Sequence, residues 1–135
     1  MNIKSLFGLI LLGLTSCNPD APFFRRNYYV DGEKGNDSNS GRTADKPFKN
    51  LDRLRNFNVG PGDSILIRGG QVHKGMLLLQ NLHGTPSHRI VISSYGGGKA
   101  VIESGDSTAV QLTACSQIDI SRIRATGSGR LKGNQ

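Results

Sequence analysis

The chain has 135 residues, a formal net charge of +7, 36% hydrophobic residues and 18 glycines. That length excludes more than one small domain. The few large apolar groups and many turn formers suit stacked short strands better than a helical bundle. The charge reads as a solvated basic surface, because Lys and Arg are scattered rather than clustered, or as a match to anionic partners such as acidic polysaccharide, nucleic acid or lipid headgroups.

Residues 1–16 read as a leader. Lys4 is their one charge, and an apolar run from Leu6 to Leu14 follows. This run is shorter than the roughly 20 residues a membrane span needs, and it has the layout of a secretory signal. Leu14, Thr15, Ser16 and Cys17 resemble the bacterial lipobox. The resemblance implies cleavage before Cys17, acylation of its sulfur and anchoring in the bacterial cell envelope. Two or more acyl chains hold stably where one is marginal. An ordinary cleaved signal with a chance cysteine is the alternative. Residues 17–27 contain Pro19 and Pro22, show no periodicity and read as a tether. Phe23 and Phe24 either cover the fold or touch a membrane surface.

Residues 28–57 read as a cap. Tyr28, Tyr29 and Val30 form a short apolar strand. Asp31-Gly32, Gly35-Asn36-Asp37, Ser38-Asn39-Ser40 and Gly41 then favour turns, because Gly tolerates positive φ and the short polar side chains bond to nearby backbone. Pro47 and Phe48 lead into a short helix carrying Leu51, Leu54 and Phe57 on one face.

Residues 58–135 read as a run of short strands. The apolar segments are Ser64 to Arg68, Met76 to Leu79, Ile90 to Ser94, Val101-Ile102, Val110 to Leu112 and Ile118 to Ile120. Turn formers such as Gly69-Gly70, Asn81, Gly84, Gly96 to Gly98 and Gly105 to Ser107 separate them. Ile65 to Ile90 and Leu77 to Val101 suggest a repeat of about 24–25 residues, inside the range of roughly 20–50 for solenoids. Each coil of such a solenoid buries its apolar side only by stacking on its neighbour. The spacing predicts two coils and part of a third. Gly127 to Gln135 is a polar stretch without a closing cap motif, which predicts a piece of a longer protein.

Tyr29-Val30-Asp31-Gly32, Gly35-Asn36-Asp37, Asn39-Ser40-Gly41, Lys46-Pro47-Phe48 with Leu51, and Pro61-Gly62-Asp63-Ser64-Ile65 together resemble a known motif. It is the N-terminal cap of right-handed parallel β-helix proteins of the pectate-lyase-like superfamily, as found on secreted Bacteroidetes-type polysaccharide-degrading proteins. The resemblance covers Tyr28 to Arg130. It implies an all-β solenoid with a capping helix and a polysaccharide partner. It does not separate lyases, hydrolases and non-catalytic members. Asn50 stands where many relatives carry Thr, a change from which little consequence is expected.

Residues that could carry chemistry are sparse. His73, His83 and His88 match no zinc spacing and fall in or beside turns, which predicts surface positions. Asp31, Asn36, Asp37 and Asn39 offer oxygen ligands for calcium, but an EF-hand frame through Gly41 puts Pro47 where Glu is required. Calcium in the cap and plain turn chemistry both remain open. Gly98-Lys99 lacks the first glycine and the Ser/Thr of a phosphate loop, and Gly127-Ser128-Gly129 lacks the spacing of a dinucleotide loop. Cys115 has no disulfide partner once Cys17 is acylated and reads as a small buried residue. Sugar hydrolysis needs paired carboxylates, and lyase action on uronates needs a cationic base. Asp106, Asp119, Glu103 and Lys99 qualify only by type, so no catalytic residue is assigned. Nucleic-acid binding rests on charge alone, without a stacking platform or helix-turn-helix pattern. Two readings remain: the first part of a polysaccharide lyase or hydrolase, and a non-catalytic glycan-binding or structural surface protein.

Overall fold

The computed structural model describes residues 23–127. The leader, Cys17 and the residues from 128 onward lie outside the described residues. Nine strands occur within them: β1 (Asn27–Val30), β2 (Ser64–Arg68), β3 (Val72–Lys74), β4 (Leu77–Gln80), β5 (Ile90–Tyr95), β6 (Ala100–Glu103), β7 (Val110–Thr113), β8 (Ile118–Ile120) and β9 (Ile123–Thr126). They form three sheets, ordered β1-β2-β5-β8, β3-β6-β9 and β4-β7. Every pairing is parallel. The chain therefore visits the three sheets in turn, β2-β3-β4 and then β5-β6-β7, and starts a further pass with β8-β9. This all-β, solenoid-like arrangement has the two coils and part of a third that the strand pattern predicts.

Alternation sets which side chains face inward, because successive residues of a strand point to opposite faces. In β2, Ile65 and Ile67 are fully buried while Ser64, Leu66 and Arg68 are half-buried. Parallel register stacks like on like: Tyr28, Ile65, Ile92 and Ile120 form one column through the first sheet. In the third sheet Leu77 lies over Val110 and Leu79 over Leu112. Each fully buried side chain of this size contributes about 1.5–3 kcal/mol.

The cap closes the first coil. Leu51–Asn56 forms a 3₁₀ helix with Leu51 and Leu54 buried. The spacing of three in Leu51, Leu54 and Phe57 fits the three residues per turn of that helix. Phe57 packs edge-on to Tyr28 at 5.3 Å and against Phe48 at 4.8 Å. The polar loop also covers the free edge of β1. Tyr29 N–H donates to the Gly41 carbonyl, Asp31 N–H to that of Phe48, and Phe48 N–H to that of Tyr29. An exposed strand edge is a template for unwanted pairing, and covering it with a loop removes that hazard.

Three sequence expectations change. The repeat is not a constant 24–25 residues. Ile65 pairs with Ile92, not Ile90, and Leu77 pairs with Val110, not Val101, which belongs to another sheet. The step from β4 to β7 is longer than that from β6 to β9, so the turns absorb the difference. Strands β3 and β9 were not expected. In β3 the pattern is inverted: Val72 is 55% exposed while His73 points inward at 4%. His73 is thus no surface residue; its Nε2 bonds to the Arg68 carbonyl oxygen at 2.9 Å.

Candidate functional site

The cap loop and the second sheet border two clefts that meet at one lysine. One cleft of about 200 Å³ lies between the loop and β3, bordered by Gly32, Lys49, Asn50, Val72 and Lys74. A second, of about 340 Å³, lies beside Lys74, Gly75, Glu103 and Ser104. Lys74 borders both. Lys74 and Glu103 are register partners on adjacent coils, so charges of opposite sign stand side by side on the outer face.

Two aspartates shape the loop side of this site. Asp37 accepts the backbone N–H groups of Lys49 and Asn50 and the Asn50 side-chain amide, at 2.9, 3.0 and 2.6 Å. Asp31 accepts the N–H groups of Glu33 and Lys34 and the Gln71 amide at 2.9, 3.0 and 3.0 Å. Gln71 in turn accepts the Gly32 N–H. Burial pushes both carboxyls up, but these hydrogen bonds outweigh it, and both pKa values lie below the ordinary carboxylate value. Asn36 bonds instead to Ser38, and Asn39 to the Pro47 carbonyl. The four oxygen-bearing residues named for calcium thus each serve their own stretch of backbone. Among the described residues no three His, Cys, Asp or Glu side chains cluster at metal-binding distance.

The other sequence candidates are spread around the coil. Asp119 is on β8 in the first sheet, where its Oδ1 accepts from Arg89 Nε at 2.7 Å. Glu103 ends β6 in the second sheet, Asp106 lies in the turn after it, and Lys99 is exposed just before it. Glu103 and Asp119 stand on different sheets and form no acid–base pair. His83 bonds to Ser116 and is exposed. Cys115 is half-buried against the core, its Sγ near the Thr113 and Leu79 carbonyls. Lys74 is a residue that sequence reasoning missed, because its register partner Glu103 is distant in the chain and no local pattern marks the pair. Asn50, named only as a departure from Thr, has a consequence after all, since its amide holds Asp37.

On the outer face of the first sheet, Tyr29 and Tyr95 meet edge to face at 5.1 Å. The Arg68 guanidinium lies 5.3 Å from the Tyr95 ring centre. The Tyr95 hydroxyl is buried and has no hydrogen-bond partner among the described residues. Burial and then the Asp31 charge hold its pKa above the ordinary phenol value.

The fold defines a class: an all-β, solenoid-like protein of parallel sheets. No protein-family model matches the chain. Two crystal structures of GH136 lacto-N-biosidase from Eubacterium ramulus are similar to it. The selenomethionine derivative superposes with a TM-score of 0.69 at 27% identity, over 82% of this chain and 22% of that one. The native protein gives 0.68 and 26%, over 81% and 21%. A lacto-N-biosidase of Bifidobacterium longum subsp. longum is 35% identical over 83 residues, which is 57% of this chain and 5% of the relative. The chain therefore spans a minor part of each of these proteins.

Proposed function

We propose that the chain forms the cap and first coils of a right-handed parallel β-helix of pectate-lyase-like type, in a glycoside hydrolase held at the bacterial cell envelope through Cys17. The observation that carries this reading is the likeness to GH136 lacto-N-biosidase, at 27% identity over 82% of the chain. The right-handed sense follows from the strong preference of parallel crossover connections, about 98% of which are right-handed. The surface lined by Lys49, Lys74 and Glu103 contacts the glycan, offering donors and an acceptor to sugar hydroxyls.

Non-catalytic glycan binding is the second reading, and the Arg89–Asp119 pair favours it: that carboxylate is engaged by a guanidinium rather than free to transfer a proton. One experiment separates the two. The protein, expressed at the full length its genome encodes, is incubated with oligosaccharides ending in lacto-N-biose and with acidic polysaccharides. Released sugar supports the hydrolase. Binding without turnover, weakened by Lys74→Ala, supports the binding module. Folded protein with neither result overturns both.

A further inference from the structure

A second surface, on another side of the molecule, carries its own message. The segment before β1 is fixed rather than loose. Arg26 N–H donates to Asp63 Oδ1 at 2.9 Å, and the Arg26 carbonyl accepts the Ser64 N–H at 2.8 Å. The Phe23 ring stacks on His88 at 4.0 Å and fills the space that a side chain at Gly62 would need. These contacts are made largely by backbone and rings. They leave Phe24 78% exposed and Phe23 48% exposed, with Arg25 and Arg26 exposed beside them. A cleft of about 250 Å³ opens next to Arg25, bordered by Ser64, Ser87, His88 and Arg89. Among the described residues, the carboxylate of Asp63 is buried under the Arg26 backbone and that of Asp119 is taken by Arg89.

We propose that this face, with Phe24, Arg25 and Arg26 at its centre, docks on an anionic phospholipid surface. Aromatic rings and arginines side by side are the chemistry of a membrane interface. The ring enters the headgroup boundary while each cation near the surface adds attraction to anionic lipid. The covalent chain argues for the same occupant. The stretch from Cys17 to Phe23 reaches about 20 Å when fully extended. A lipid on Cys17, part of the function proposed above, would hold the patch within that distance of the bilayer. The patch then sets which side of the fold faces the membrane and turns the Lys74–Glu103 surface, on another sheet, to the medium.

The test uses the full chain carrying Cys17→Ser, so that no acyl group contributes and failure of the patch is distinct from failure of the anchor. Co-sedimentation is compared on phosphatidylcholine vesicles with and without phosphatidylglycerol. Anionic vesicles should bind more, and added salt should erase the difference. Arg25→Gln with Arg26→Gln should reduce the anionic preference roughly tenfold or more. Phe24→Ser should lower binding to both kinds of vesicle. Lys99→Gln, on a distant turn, should change nothing. Equal binding to the two vesicle types overturns the proposal. So does a preference that survives the double Arg substitution, or full competition by free glycerol phosphate, which would mark a small-anion site.

Discussion

The carboxylate of Asp31 accepts the side-chain amide of Gln71 at 3.0 Å, and so ties the cap loop to the start of the second sheet. The two residues are far apart in the chain, yet the bond fixes where the loop meets β3 and hence one wall of the polar surface.

Acid should loosen this tie only below the ordinary carboxylate range. The Asp31 pKa is lowered in the folded state, burial being outweighed by bonds from Lys34, Gln71 and Glu33. A depressed folded pKa stabilises above the ordinary value of 3.8 and loses that stabilisation as pH falls below it through the folded value. Asp31→Ala should cost about 1.5–3 kcal/mol at pH 7, since charged hydrogen bonds are lost and donors are stranded. The deficit should shrink as pH falls below the ordinary carboxylate value. Urea unfolding at neutral and acid pH measures both, and a deficit independent of pH would refute the assignment.

The Tyr95 hydroxyl is a buried polar group without a partner among the described residues. Removing such a group is neutral to favourable, because its desolvation is no longer uncompensated. Tyr95→Phe should therefore raise stability by up to about 1 kcal/mol while keeping the ring contacts with Tyr29 and Arg68. A loss of stability of that size in thermal melts would mean the hydroxyl is bonded after all.

Packing should be felt along the columns. Ile92 is fully buried between Ile65 and Ile120, and Ile92→Ala should cost about 2–5 kcal/mol. Val72 is apolar but 55% exposed, and Val72→Ala should stay within about 0.5 kcal/mol. Chemical denaturation of the pair distinguishes stacked from merely apolar positions.

The cap loop depends on close backbone approach at Gly35. A Cβ there would collide with the Phe48 and Asp31 carbonyls, whereas at Gly97 it would meet nothing. Gly35→Ala should disrupt the cap and lower the melting temperature sharply, and Gly97→Ala should leave steric packing untouched. If the two variants melt together, the loop has more room than the structure allows.

The fold was legible where burial and alternation agree. Ser64 to Arg68 places Ile65 and Ile67 on the buried face with Leu66 half-buried on the other, and β2 has those same bounds. Strand β3 was illegible because it breaks that agreement: a valine faces out and a histidine in. The period was misread for a related reason. Leu77 and Val101 are equally apolar, and nothing local tells that they belong to different sheets. The polar surface was hidden more deeply, because Lys74 gains meaning only from the coil that places Glu103 beside it. The aspartates of the cap were visible as turn formers, but not the specific N–H groups they hold.

The unequal steps between stacked strands have an evolutionary consequence. Pairing between coils does not depend on how much chain lies between one strand and its partner, and closing a longer loop costs only about 0.6 kcal/mol for each doubling of its length. The exposed tip of the connection after β4, at Pro86 and Ser87, can thus gain residues while Leu82 stays in the core and Ile65 still meets Ile92. Inheritance of the scaffold and divergence of its rim act on separate residues. Lineages sharing this interior can diverge in recognition by insertion at the turns, without first passing through an unstable ancestor.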